Sequence, residues 1–298
     1  MVLAAGLGTR LQPYTLQTPK PLVPLLGVPC IEYSLQQLPR AGVETVVVNV
    51  HSHSLQMIDY LRKSALLNGV EIRVSDESQK LLGSAGGFRK ALPLIESVPG
   101  KSESFFALNA DVVSAVDLQQ LAVRHRELQK KHGVQMTLCL ADGKMLESQQ
   151  GAYSEIVINE ESGLVVGIGE KKKKVPFYTG TAVFETECFR HLTDGVPSEF
   201  VPEVLMPMIR QGKVGFFKVD QLWLDVGSPE LWWKSHFELH QEFSHGKTPS
   251  FWSQLIQEGS KKVYLSEAEG VVDYDHFSTG PMTGTGKYIR FRGVRTDV

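Results

Sequence analysis

Little in this chain stands out by abundance. Only three of its 298 residues are cysteine (Cys30, Cys139 and Cys188), widely spaced and odd in number. They form no metal-ligand spacing and no paired framework, so reduced thiols in a cytoplasmic protein are expected. No apolar run approaches the length that spans a bilayer, so no membrane association is expected. The opening Met-Val-Leu-Ala-Ala-Gly lacks the basic n-region and the apolar h-region of a secretory signal. Thirty-one Lys and Arg against 33 Asp and Glu leave a formal charge of -2. That gives no basic surface signal and no support for nucleic-acid binding. The apolar share of 42% and charged share of 21% are ordinary for a soluble protein. The length suits one large domain, or one domain with a smaller appendage.

The informative run is LAAGLGTRLQPYTLQTPKPLVP, from Leu3 to Pro24. Two glycines, an arginine and a proline-framed lysine follow an apolar start. Such a loop offers backbone N–H groups and two cations to a highly anionic ligand, for which a nucleoside triphosphate is the natural candidate. A Walker A loop is excluded, because no Gly-x4-Gly-Lys-Ser/Thr string occurs. A dinucleotide fingerprint is excluded as well, because Leu11 stands where its third glycine belongs. A ligand-free Gly-rich turn explains the glycines but not Arg10 together with Lys20. Lys20 lies between Pro19 and Pro21, which fix the backbone around it.

Short β-branched runs alternate with helical patterns through the first two-thirds of the chain. Met1–Ala5, Thr45–Val50, Val70–Ser75, Ser104–Asn109 and Gln135–Leu140 read as strands. Between them Ile31–Ala41, Ser54–Leu67, Ser84–Ile95 and Asp117–His132 read as helices, the last with Leu118, Leu121, Ala122 and Leu128 on one face. Asp117 suits its N-cap and Gly133 its C-cap. The alternation predicts an α/β fold with a Rossmann-like, mixed, mostly parallel sheet and helices on both faces. Ligands of such sheets bind beyond the carboxyl ends of the strands, where the loop after Met1–Ala5 and the tip Asn109-Ala110-Asp111 both fall. Tyr153–Asn159, Leu164–Ile168 and Thr179–Phe184 then predict a small antiparallel extension. Helices return at Ser198–Gln211 and at Pro229–Phe243, where Pro229 suits a first turn. Residues 1–243 thus read as one domain and 244–298 as a tail, with a linker at His245–Pro249 and a Gly- and Thr-rich stretch at 280–286.

The pattern LAAG-x-GTRL-x-P-x-T-x-x-x-PKPL-x-P resembles the sugar-1-phosphate nucleotidyltransferases. Trp223-Leu224-Asp225-Val226-Gly227-Ser228-Pro229 meets a second pattern of that family, W-x-D-[IV]-G-[ST]-P. The resemblance covers roughly Met1 to Phe243. It implies attack by a sugar phosphate oxygen on the α-phosphorus of an NTP, with pyrophosphate leaving, in chemistry governed by positioning and charge neutralisation. Arg10 is then expected on the β and γ phosphates, and Lys20 at the reacting phosphate. Leu3, Ala4, Ala5, Gly6, Gly8 and Thr9 are expected to line the nucleotide. Asp111, ending an apolar run beside the phosphate loop, suits Mg²⁺, and the resemblance makes Asp225 its second ligand. Arg10, Lys20 and Asp111 form the expected catalytic set.

Leu81–Gly87 resembles the family's LG[TS]AG loop, so Gly83, Ser84 and Ala85 are expected against base and ribose. Ser84 also suits a helix cap. Glu77 is expected to face the base. A carboxylate accepts hydrogen bonds, and guanine offers adjacent N–H and NH₂ donors where uracil offers one, which favours GTP. Glu170-Lys171 resembles the E-K of the family's E-K-P element, implying that Glu170 binds sugar hydroxyls and Lys171 the sugar phosphate. The proline is replaced by Lys172, within a four-lysine run that also reads as a solvated loop. The Tyr-Gly that lines the sugar in the family is Tyr153-Ser154. Thr179 and Gly180 match a further sugar-side stretch. His51 and His53 are assigned no role.

A mannose-1-phosphate guanylyltransferase type fits first. N-acetylmuramate-1-phosphate uridylyltransferase, glucose-1-phosphate thymidylyl- or uridylyltransferase and heptose-1-phosphate guanylyltransferase stay open. Two rivals stay open beside them: a non-catalytic regulatory subunit on the same fold, and a choline-phosphate-type cytidylyltransferase. Family members usually carry a few more apolar residues ahead of LAAG, so the first strand is short or the natural start lies upstream of Met1. Many end in a β-helix of hexapeptide repeats, but no sixfold spacing holds between Val263 and Val298. The tail reads as a degenerate remnant of that domain, or as an irregular segment packing on a partner subunit in a homo-oligomer.

Overall fold

A computed structural model describes residues 1–98, 103–141, 153–172, 175–276 and 286–298. Lys173, Lys174 and the stretch 280–285 lie outside the described residues. The chain opens on β1 (Val2–Leu3), passes through three single 3-10 turns to Leu22, and forms a tight pair, β2 (Pro24–Leu25) and β3 (Val28–Pro29). There follow α1 (Cys30–Gln37), β4 (Thr45–Val50), α2 (Ser54–Asn68), β5 (Glu71–Asp76), α3 (Gly83–Glu96), β6 (Ser104–Asn109), β7 (Val112–Ser114), α4 (Leu118–His132) and β8 (Met136–Ala141). Next come β9 (Tyr153–Asn159), β10 (Leu164–Lys172), β11 (Phe177–Glu185), α5 (Met206–Arg210), β12 (Val214–Val219), β13 (Trp223–Asp225) and α6 (Pro229–Ser244). The chain closes with α7 (Ser253–Ser260), β14 (Tyr264–Ser266), β15 (Val271–Asp273), β16 (Tyr288–Phe291) and β17 (Val294–Asp297).

Local chemistry explains the helix boundaries. Asp117 caps α4 by accepting the Gln120 N–H at 3.0 Å, and Leu118, Leu121 and Leu128 bury one face. Ser228 caps α6 by accepting the Leu231 N–H at 3.3 Å, with Pro229 in the first turn. Ser84 is not the cap of α3. Its hydroxyl turns away, donating to Glu199 Oε2 at 3.1 Å and accepting the Phe200 N–H at 2.9 Å.

A nine-stranded sheet runs β5-β4-β1-β6-β11-β8-β12-β10-β9. Only β11 and β10 run against the rest, so the sheet is mixed with most strands pointing one way. One face packs under α3 and the 200–209 segment, with Phe88, Phe184, Phe189 and Phe200 in contact. The other packs under α1, α2 and α4. The antiparallel extension differs in one strand from the sequence expectation. The hairpin β9–β10 forms it at the edge, whereas β11, which includes Thr179–Phe184, lies mid-sheet between β6 and β8. It is buried along nearly its whole length, and such a strand gains most where both faces are covered. Strand β12, absent from the sequence reading, pairs in parallel with β8 over six positions.

The tail, left between a degenerate β-helix remnant and an irregular segment, carries regular strands among its described residues. It forms a four-stranded sheet, β14-β15-β16-β17, with β15 and β16 parallel. Its Trp252, Ile256, Val263, Val272 and Ile289 share one apolar cluster with Tyr14, Tyr33 and Trp232. Strands of three or four residues are too short to show a period in the sequence.

Candidate active site

The loop after β1 and the ends of β4 and β6 meet at a cavity of about 280 Å³. Leu3, Ala4, Ala5, Gly6, Lys20, Gly83, Ser84 and Asp111 line it. The small side chains of Ala4, Ala5 and Gly6 leave room for a ligand to approach the backbone. Asn109, in the tip expected on the ligand side, and Asn49, which the sequence did not single out, line it too from the ends of β6 and β4. Gly8 lies in left-handed backbone (φ 65°) and starts the turn that carries Thr9 and Arg10. The Gly8 carbonyl accepts the Thr15 hydroxyl at 2.8 Å, which ties the turn down, while the Arg10 side chain stays exposed.

The two aspartates are brought together by a strand pair that the sequence reading had missed. Strand β13 pairs antiparallel with β7, in a register that sets Asp225 opposite Val112. The Val226 N–H adds a bond to the Asp111 carbonyl at 3.2 Å. The carboxylates are therefore neighbours although 114 positions apart. Lys20, only 8% exposed, forms an ion pair with Asp111. Asp225 is 7% exposed and accepts the Tyr153 hydroxyl at 3.0 Å. Burial, and then the Asp111 carboxylate, push the Asp225 carboxyl above the usual range, while Lys20, Tyr153 and Arg10 pull it back. A Cβ at Gly227 would meet the Asp225 carboxylate oxygens at 2.8 and 3.0 Å and Arg10 Nη2 at 3.1 Å, so only glycine fits there. Arg10, Lys20, Asp111 and Asp225 thus form one charged cluster at the mouth of the cavity.

Among the described residues, no group of three or more His, Cys, Asp and Glu is arranged to hold a metal. Two neighbouring carboxylates still fit a divalent cation.

Three of the residues expected at the ligand are hydrogen-bonded to the protein itself. Glu77 is fully buried; it accepts the Asn49 amide at 2.8 Å and the Leu82 N–H at 3.2 Å. Each of its oxygens accepts from a protein donor. Asn49 in turn accepts the Ala4 N–H at 2.8 Å, so this chain of bonds shapes the cavity wall. Ala85 is buried, and its N–H donates to the Ser198 carbonyl at 2.9 Å. Thr179 is 1% exposed; its hydroxyl donates to the Cys139 carbonyl at 3.0 Å, and its carbonyl accepts the Trp223 indole N–H at 2.9 Å. It steadies the Asp225 strand. Gly180 packs against the Asn109 amide, which a Cβ there would meet at 2.6 Å.

Glu170 and Lys171 stand exposed near the end of β10. Lys171 pairs with Ser154 and Lys172 with Tyr153, past an irregularity after Ile168. Residues opposite each other across a ladder share a face. Lys172 therefore lies on the face of Tyr153, whose hydroxyl reaches Asp225, and Lys171 on the other. Lys172 was not among the expected contacts, and no sequence pattern could fix the register through a lysine run.

A family model described as nucleotidyl transferase matches residues 1–242. The chain belongs to that family. It is 29% identical over 233 residues to a mannose-1-phosphate guanylyltransferase catalytic subunit beta of Drosophila pseudoobscura pseudoobscura, covering 77% of this chain and 59% of that one. It is 28% identical over 265 residues to a UTP–glucose-1-phosphate uridylyltransferase of Synechocystis, covering 84% and 65%. The chain thus spans about three-fifths of the length of the curated relatives it matches. The fold is shared with HddC from Yersinia pseudotuberculosis, at TM-score 0.62 and 21% identity over 80% of this chain and 97% of that one. It is shared as well with a putative glucose-1-phosphate thymidylyltransferase from Bacillus anthracis, at TM-score 0.63 and 15% identity over 84% and 95%.

Proposed function

We propose that the chain transfers a nucleotidyl group from an NTP to a sugar 1-phosphate, releasing an NDP-sugar and pyrophosphate. The observation that carries this is the clustering of Arg10, Lys20, Asp111 and Asp225, of which Lys20 and Asp111 line the cavity at the carboxyl ends of β1, β4 and β6. In the reaction a phosphate oxygen of the sugar forms a bond to the α-phosphorus, and the bond from that phosphorus to the pyrophosphate oxygen breaks. Arg10 and Lys20 offset charge on the triphosphate. Asp111 and Asp225 would hold Mg²⁺, which when bound adds Lewis-acid neutralisation of the phosphate oxygens. Gly83 and Ser84 leave space for the nucleoside. Either Lys171 or Lys172, on opposite faces of the edge hairpin, would meet the incoming sugar phosphate. A regulatory subunit without activity has less support, because such a protein has no need to keep all four charged groups.

GTP with mannose 1-phosphate is the first pair to test, on the strength of the several relatives so named. Burial of Glu77 removes the argument for GTP that rested on that residue. UTP with glucose 1-phosphate is the second reading, on the strength of a relative so named that is matched over 84% of this chain. All three thiols are free and buried, as suits a cytoplasmic setting. The deciding measurement is pyrophosphate release across a matrix of NTPs and sugar 1-phosphates with Mg²⁺, with Asp111→Asn as control. One productive pair names the reaction. A folded protein that binds NTP and turns over nothing in the matrix would refute transfer to these sugars and favour the regulatory reading.

A further inference from the structure

The tail reaches the nucleotide loop through polar contacts as well as apolar packing. The turn between β2 and β3, residues 24–27, begins four residues after Lys20. Its Pro24 carbonyl accepts the Trp232 indole N–H at 2.7 Å and lies 2.9 Å from the Tyr274 hydroxyl. The Gly27 N–H donates to that same hydroxyl at 3.2 Å. His236 Nε2 stands 2.5 Å from it, and His236 Nδ1 stands 2.8 Å from the Trp232 carbonyl. Burial lowers the His236 pKa to about 3, so the ring is neutral. A carbonyl can only accept, so Nδ1 carries the proton and Nε2 accepts the single Tyr274 hydroxyl proton; the Pro24 carbonyl then has Trp232 as its donor, and Tyr274 holds the turn by accepting the Gly27 N–H. One buried ring thus fixes the direction of the Tyr274 hydroxyl. A second tail contact lies upstream, where Tyr14 donates to the Ile289 carbonyl at 2.9 Å. Lys20 sits between these anchors, with its own carbonyl accepting the Val23 N–H at 3.0 Å.

We propose that Tyr274, oriented by His236, is a positioning residue for Lys20, and that the C-terminal sheet is thereby a working part of the nucleotide site. Tyr274 fixes the 24–27 turn, the turn fixes the backbone of Lys20, and the ammonium is held at Asp111 and the reacting phosphate. What Lys20 does there rests on the function proposed above.

Tyr274→Phe keeps the ring and removes only the hydroxyl. Backbone amides of residues 20–27 should exchange hydrogen faster, while those of β4 and β5 stay unchanged. With a productive substrate pair, kcat should fall roughly tenfold and the KM for sugar phosphate should stay put. The double variant Lys20→Ala/Tyr274→Phe should be no slower than Lys20→Ala, because Tyr274 acts through Lys20. Additive losses in that cycle, or unchanged exchange at 20–27, would overturn the proposal. Should Tyr274→Phe fail to fold, Tyr14→Phe supplies the same exchange test on the upstream anchor. If the wild type turns over no substrate pair, the functional reading falls while the exchange measurement still decides the positioning role.

Discussion

At the phosphate end of the site, Lys20 and Asp225 are almost fully buried and tied to neighbours from distant parts of the chain. At the sugar end, Glu170 and Lys171 stand exposed on a hairpin at the edge of the sheet. The contrast follows from the work each end would do. Neutralising charge that builds up at phosphorus calls for fixed cations in a partly desolvated place, where each is worth more than in water. Recognising a sugar calls for adjustable hydroxyl contacts, which long side chains on an edge strand can supply. On the proposed function, the buried end would hold the chemistry and the exposed end the choice of substrate. Two kinds of variant should therefore behave differently.

The largest effect is expected at Asp111. Asp111→Asn keeps the shape, removes the charge, and should lower turnover by about a thousandfold or more while leaving the thermal midpoint near that of the wild type. Near-normal turnover would take Asp111 out of any metal site. Lys20→Ala should come next, with kcat down by about a hundredfold. An unchanged kcat would show that its pairing with Asp111 is structural only.

The sugar end should answer in KM. Lys171→Ala should raise the KM for sugar phosphate about tenfold and leave that for NTP nearly unchanged, the pattern of a lost ground-state contact. Lys172→Ala is its counterpart, because the ladder register sets Lys172 across from Tyr153. If Lys172→Ala has the larger effect, the phosphate is met on the Tyr153 face and the family pattern is shifted by one residue here. Equal rises in both KM values from either variant would place these lysines outside the sugar site.

The same contrast governs how much could be read in the sequence. The phosphate loop was legible because few residue types can make such a turn, and the glycines, Arg10 and the proline-framed Lys20 are of those types. Alternating strands and helices gave the layered sheet for the same reason: the burial pattern of each element is local. What escaped was set by pairing over long distances. The adjacency of Asp111 and Asp225 comes from the β7–β13 ladder, whose strands have three residues each. The central place of β11 depends on which neighbours cover it. The register through Lys171 and Lys172 depends on an irregularity in β10 that identical side chains cannot reveal.

Glu77 tests the boundary between the two ends most finely. It lies in sequence where a base contact was expected, yet the fold spends both of its oxygens on Asn49 and Leu82. If it is a brace, Glu77→Gln should lower stability by about 1–3 kcal/mol, because an amide presents a donor where two donors already point. The ratio of kcat/KM for GTP to that for UTP should then stay the same, since neither base meets the residue. Any loss of rate should fall on both nucleotides alike, through a loosened Asn49 and a less well placed Ala4 amide. A shift in the nucleotide ratio with unchanged stability would return Glu77 to the base and make the burial seen here a feature of the ligand-free arrangement alone.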